Sequence, residues 1–419
     1  MQTVCREIGG KVLIRNSLIA LAFGMILIAS PALAEKLTIW LVGDDKAPKV
    51  LQPAVDAFKD QHPSVEFEVR AIPWGDAMTK YSSAIASKTG PDIITGGLSY
   101  GIALGAKGGL VDLVKSAPDM VALLDKKANK GIMRSIRNSD GAIYAVPYDI
   151  SVQLQLYRTD MVAKPPATWK EFVSVVAKQQ ALGNKGWAQQ FGNMGWMGFF
   201  PYLMQAGGSF YDAHCTKVTL NSPEAVKALQ YYATLYNQLK APTDTWPDVE
   251  TGLESGTYPL TQTGSWVFTS LDVSRKKIVG KWSVAKLPAG PTGKSTAFLG
   301  GTVIGVTSLS THPDLAIGFL RTLYDSAIAK QMIDASFNQK LLWLPGGRED
   351  LIESVNLPED RKRALLAQLK DAEGPPNCKG WEAVDPAVTR AIQQVVLGGT
   401  DPEEALAAAA EKMNRALAK

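Results

Sequence analysis

Cysteine and histidine are scarce: the 419-residue chain holds three of each. Their scattered positions give no metal-ligand spacing, so no metal centre is expected. There is no basic tract, which argues against a nucleic-acid partner. The chain shows neither internal repeats nor a low-complexity linker. A phosphate loop is also missing. Pro291-Thr-Gly-Lys-Ser-Thr296 has Pro288 where the leading glycine belongs, and a strand-like run follows where a helix is required. It reads as a solvated hairpin loop, and no cofactor is implied.

What is present is ordinary for a soluble globular protein, with 46% hydrophobic and 20% charged residues. The length exceeds one ordinary core and suits two lobes. The first 34 residues stand apart. Arg6, Lys11 and Arg15 precede an apolar run, Leu18–Ile28, and Ser30-Pro-Ala-Leu-Ala34 ends it with small residues. This is the pattern of a secretory signal peptide over 1–34. The alternative, a membrane anchor, needs roughly 20 apolar residues. No cysteine follows the run, so the expectation is a free periplasmic protein without a lipid anchor. Removing Arg6, Lys11, Arg15 and Glu7 takes the net charge from +4 to about +2. Export also permits a disulfide between the remaining Cys215 and Cys378, both in polar, loop-like surroundings; the alternative is two buried thiols.

Strand and helix signals alternate through the first part. Leu37-Thr-Ile-Trp-Leu-Val42 reads as a buried strand bounded by Gly43-Asp-Asp45. Val50, Leu51, Ala54, Val55 and Phe58 fall at helical spacing within 48–61, and Val65, Phe67 and Val69 alternate as in a strand. A helix is expected over 75–88 and a short strand over Pro91–Thr95. Such alternation predicts parallel sheets covered by helices. Thr168 caps a helix starting at Trp169, and Ser222-Pro223 opens another that runs to about Leu239. Tyr258–Thr263, Trp282–Leu287 and Thr302–Thr307 read as strands, and the tail is helical around a Gly/Pro-rich break at 374–380. The stretch Gly141–Tyr157 reads as a turn, a strand, a proline-stiffened bend at Tyr148-Asp149, and a second strand. With no flexible linker, the chain is expected to weave between its lobes.

Taken in order, these signals resemble the family 1 extracellular solute-binding proteins, the maltose-binding-protein-like sugar-binding components of ABC importers. The matches span nearly all of the mature chain. They include Gly90-Pro-Asp-Ile-Ile94, Gly109-Leu-Val-Asp-Leu113, Tyr144-Ala-Val-Pro-Tyr-Asp149, Gln205-Ala-Gly-Gly-Ser-Phe210, Gly264-Ser-Trp266, Phe298-Leu-Gly-Gly301 and Asp401-Pro-Glu-Glu-Ala-Leu406. The resemblance implies a two-lobed α/β fold, the type II periplasmic binding protein fold. Its mixed sheets are flanked by helices, with three hinge crossings and a ligand cleft between lobes. Lobe one would hold 35–148 and 300–342, and lobe two 149–297 and 346–419. The crossings would be the Tyr148-Asp149 stretch, Phe298–Gly301 and Trp343–Gly347. The implied partners are a carbohydrate or polyol and the inner-membrane permease subunits, driven by a separate ATPase. A monomer is expected.

A pyranose has C–H patches that flat aromatic rings cover and hydroxyls that carboxylates and backbone N–H groups bind. Candidate ligand-binding residues follow from that chemistry. Trp266 comes just after a strand, where the resembling family places a stacking ring. Trp74 lies in a Pro-Trp-Gly turn, and Trp196 in the glycine-rich run Gly192–Gly198, expected to be a surface loop. Trp381 follows the 374–380 break. Tyr148 and Asp149 are at the expected cleft floor, Tyr100 lies in a glycine-rich loop lining the cleft, Gly301 belongs to the second crossing, Asp44 ends the first strand, and Arg348 follows the third crossing. Plainer roles compete with these. An aromatic is more often core, Asp44 suits a helix cap, Asp149 a turn, and Arg348 a solvated surface charge.

One run imitates an enzyme. Gly97-Leu-Ser-Tyr-Gly101 matches the nucleophile-elbow pattern after a strand. Only His214 and His312 follow it, and no oxyanion loop of the His-Gly-Gly type exists. A glycine-rich loop lining the cleft is the expected reading, and the protein is expected not to be an enzyme. A secreted carbohydrate-active or ester hydrolase is the alternative. So is the same binding fold for a polyol, a glycerol phosphodiester or a polyamine.

Overall fold

The computed structural model describes residues 35–418, apart from 193, 245–247, 377 and 379. The expected signal peptide, 1–34, lies outside the described residues. No helix among the described residues is long and apolar enough to cross a membrane.

Two sheets organise the chain. The first contains β1 (Lys36–Val42), β2 (Glu66–Ile72), β3 (Ile93–Gly97), β4 (Val146–Pro147) and β10 (Thr302–Val306), in the order β2-β1-β3-β10-β4. The second contains β5 (Ser151–Arg158), β6 (Trp187–Gln189), β7 (Leu260–Gly264), β8 (Trp282–Ala285), β9 (Ala297–Gly300) and β11 (Ala372–Glu373). Its order is β11-β9-β5-β7-β6, with β8 also on β5. The strands expected at 258–263 and 282–287 therefore exist, with ends displaced by one or two residues.

Local chemistry accounts for these elements. In β1, Leu37, Ile39 and Leu41 alternate into the core. β1 runs parallel to β2 and β3, and parallel neighbours need a crossover, supplied by the helices Ala47–Gln61 and Trp74–Ser87. The first of these buries Val50, Leu51, Ala54, Val55 and Phe58 along one stripe, and Phe58 meets Phe319 edge-on at 5.6 Å. Over the second sheet, the Thr168 hydroxyl accepts from the Glu171 N–H and the Glu171 carboxylate accepts from the Ala167 N–H. Ser222 likewise accepts from the Ala225 N–H, with Pro223 in the first turn.

Three chain segments meet at one residue. The Tyr148 and Asp149 N–H groups donate to Thr302 O at 2.8 and 3.2 Å. Ile150 N–H donates to Leu344 O at 3.0 Å, and Gly346 N–H to Tyr148 O at 3.4 Å. Gly301 has φ +130°, and a Cβ there would overlap the Asp149 carbonyl oxygen. A Cβ on Gly346 would lie 2.7 Å from the same oxygen. Only glycine fits both places. The core is continuous across this point: Val146, Tyr148, Ile150, Val152, Leu299 and Val303 belong to one buried cluster spanning both sheets. A second cluster packs the helices Gly195–Gln205, Pro223–Asn237, Val384–Val396 and Pro402–Leu417 together. Cys215 and Cys378 form the expected disulfide across 163 positions, tying the hairpin near Tyr211–Val218 to the 374–380 break.

Candidate ligand-binding site

Because β1, β2 and β3 are parallel, their carboxyl ends share one edge of the first sheet. That edge is where open α/β sheets bind ligands. It presents Gly43-Asp44, Pro73-Trp74 and Leu98–Tyr100. Trp74 starts its helix and is 50% exposed. Tyr100 starts the short helix Tyr100–Gly105. Its ring lies on bare backbone: a Cβ on Gly96 would overlap it, and one on Gly97 would lie 3.5 Å from Tyr100 and 3.7 Å from Trp74. The two rings thus flank Gly97. Burial raises the Tyr100 phenol above its ordinary range, so it remains a neutral donor and acceptor. Asp44 is exposed, and one carboxylate oxygen accepts from the Lys46 N–H at 3.0 Å. It bonds within the turn and does not cap the following helix, which has no side-chain cap, and it still presents its carboxylate to solvent.

The second sheet offers Trp266. β7 ends in Gly264, and a Cβ there would fall inside the Trp266 ring, so glycine lets the indole lie flat against the backbone. Ser265 accepts from the Val152 N–H at 3.4 Å, pinning the turn to β5. The ring is 40% exposed, and among the described residues Trp74 and Trp266 are the two large exposed indoles. Glycine beneath an aromatic is a signal present in the sequence, as Gly-Gly-Leu-Ser-Tyr and Gly-Ser-Trp, though only the fold shows its purpose.

At the crossing, Tyr148 is buried and meets Trp343 edge-on at 5.6 Å, and burial raises its phenol. Asp149 accepts from the Thr302 N–H at 2.6 Å. Burial pushes its carboxyl up to about 6, while the bond from Thr302 pulls the other way. Asp149 therefore braces the first crossing against the second. Gly301 sits against it for the steric reason given above.

Three candidates are engaged with neighbouring protein groups. Trp196 is not on a loop: it lies in the helix Gly195–Gln205, 7% exposed. It packs edge-on against Trp381 at 5.1 Å and Phe298 at 5.3 Å. The glycines that resemble loop residues instead permit close packing, since a Cβ on Gly198 would lie 3.1 Å from Gln190 O. Met194, with φ +56°, makes the turn that starts the helix. Trp381 is half-buried in the same aromatic cluster, 5.6 Å from Phe210. Arg348 is neither solvated nor free. Its guanidinium donates to Asp350, Ser326 Oγ and Tyr324 O, bracing the third crossing.

A serine-hydrolase arrangement is not formed. His312 lies beside Glu35, at the amino end of β1, whereas Ser99 follows the carboxyl end of β3. His214 is in the disulfide-bonded hairpin. Ser99 has φ −77° and ψ −13°, without the strain of a nucleophile elbow.

Two sheets joined by three crossings, with rings displayed at strand ends, define a two-lobed binding protein. Residues 53–337 match the bacterial extracellular solute-binding protein family, and the chain belongs to that family. It is 27% identical over 376 residues to the lactose-binding protein of Rhizobium radiobacter, covering 84% of each chain. Among solved structures, maltose-bound MalE3 of T. maritima is 25% identical with a TM-score of 0.77, covering 91% of this chain and 100% of that one. The GacH receptor of Streptomyces glaucescens, solved unliganded and with acarbose, is 23% identical with a TM-score of 0.79. That likeness covers 92% of this chain and 99% of the receptor.

Proposed function

We propose that this chain is an exported receptor that closes on a sugar or oligosaccharide and delivers it to an ABC permease powered by a separate ATPase. Lobe one comprises 35–148 and 300–342, and lobe two 149–297 and 346–419. Asp44, Trp74 and Tyr100 offer one face of the cleft, and Trp266 offers the other. The observation that carries this reading is the pair of exposed indoles, each at the carboxyl end of a strand. Exposed indoles cover pyranose C–H faces and lose apolar area to the ligand on closure. Only the closed state makes both sets of contacts, so the sugar shifts the equilibrium toward closure. The three crossings converging on Asp149 serve as the hinge. The chain acts by binding, without turnover, which agrees with Ser99 and His312 standing at opposite ends of the first sheet's strands.

Lactose, maltose and a maltodextrin series are the probes, read by thermal shift. At least one should raise the Tm, and Trp266→Ala and Trp74→Ala should each abolish that rise while leaving the unliganded Tm nearly unchanged. A sugar response that survives both substitutions would place the cleft elsewhere. Hydrolysis of any of these sugars would end the binding-only reading.

A further inference from the structure

A groove of about 550 Å³ opens between the helix Lys130–Ile136, which packs beside the first sheet, and the disulfide-bonded part of the second lobe. Neither Trp74, Tyr100, Tyr148 nor Trp266 lines it, so it is separate from the proposed sugar cleft. Its walls touch where Gly374 meets Ser135: a Cβ on Gly374 would overlap the serine hydroxyl. Both walls carry local hydrogen bonds. Asn129 caps the helix through the Gly131 and Ile132 N–H groups. Opposite, the Asp212 carboxylate accepts from the Thr216 and Lys217 N–H groups at 2.7 and 2.9 Å, and the Cys215–Cys378 bond lies in the wall.

The charged side chains lining the groove differ in the partners they have among the described residues. Arg137 donates twice to Asp125, at 2.8 and 2.9 Å, and once to Gly141 O. Asp212 is occupied as described. Among the described residues, the side chains of Arg134, on the helix, and Glu373, on β11, have no hydrogen bond or ion pair, with each other included. Half-buried Met204 and Pro376 supply apolar surface beside them.

We propose that this groove is a second ligand site, built for a small zwitterion of the amino-acid type: carboxylate on Arg134, ammonium on Glu373, side chain toward Met204 and Pro376. A guanidinium fits a carboxylate with two parallel bonds. A simple anion would satisfy Arg134 but face Glu373, and a simple cation would meet the reverse. A zwitterion satisfies both, and the cavity lies in the size range of small-molecule sites.

The test is thermal shift of the full mature chain with L-leucine and L-phenylalanine. Isovalerate and leucinol, which each carry one of the two charges, serve as controls. At least one amino acid should raise the Tm and both controls should leave it unchanged. The rise should vanish in Arg134→Ala and in Glu373→Gln, both at groove positions outside the core, and persist in Trp266→Ala. That last arm separates this site from the sugar cleft, so each reading can fail alone. No shift with either amino acid overturns the proposal. So does a shift that survives Arg134→Ala or Glu373→Gln, a shift given equally by isovalerate or leucinol, or one that disappears with Trp266.

Discussion

Replacing Asp149 with asparagine tests the crossing most directly. The carboxyl titrates near 6 in the fold against an ordinary 3.8, because burial disfavours its charge. The folded protein therefore holds this proton through a pH range where the unfolded chain has already released it. Stability consequently falls as pH rises from about 4 to 6. Two pKa units correspond to about 3 kcal/mol, and partial solvent exposure of the side chain trims this to about 2 kcal/mol. Asparagine keeps the oxygen that accepts from the Thr302 N–H and removes the charge. Asp149→Asn should therefore be more stable than the parent at pH 7 by about 2 kcal/mol, with the advantage gone below about pH 4. Urea unfolding followed by tryptophan fluorescence across this range measures the difference, and other carboxylates cancel in the comparison. Two curves that stay parallel at every pH, or a variant less stable at pH 7, would refute the argument.

Other substitutions separate packing from binding. Trp196→Ala, in the aromatic core, should cost about 3–5 kcal/mol by urea unfolding, unlike Trp266→Ala. Gly301→Ala forces a Cβ onto the Asp149 carbonyl at φ +130° and should cost at least about 1–3 kcal/mol, with sugar affinity changing alongside stability. Breaking the disulfide with Cys215→Ala and Cys378→Ala together should lower stability by about 4–5 kcal/mol, on the chain-entropy account of a long closed loop. Equal unfolding midpoints before and after reduction of the parent would contradict that figure.

Much of the fold was legible in residue order. The alternation in Leu37–Val42, the helical stripe of Val50 to Phe58, and the Thr168 and Ser222 caps each report a local preference, and each element stands where those preferences place it. The Cys215–Cys378 bond was expected from a signal-like amino terminus that permits it and from loop-like surroundings. The candidate site was less so, because ring exposure is decided by tertiary packing. Trp196 directly follows Gly195 and Trp266 lies two residues after Gly264, and the local pattern does not distinguish their exposure. In one case the glycines let helices approach and bury the ring; in the other, glycine forms a floor that leaves one face open. The partners of Arg348 were not legible for a related reason, since its acceptors at Tyr324 and Ser326 are over twenty positions away. Asp149 carried two candidate roles, and the bond from Thr302, 153 positions away, gives it a structural one.

The placement of β10 between β3 and β4 also dictates when this protein can fold. A chain emerging amino end first produces β1, β2, β3 and β4 by residue 147, yet β3 and β4 have no direct bond to make. Their shared partner arrives only with residues 302–306, after nearly all of the second sheet has been released. The last segment of the Asp149 junction, Leu344–Gly346, comes later still. Such distant pairings pay loop-closure entropy before they are rewarded, so the first lobe must wait, incomplete, for its own closing strand. A nascent chain stalled before residue 302 should therefore remain protease-sensitive in its amino-terminal part.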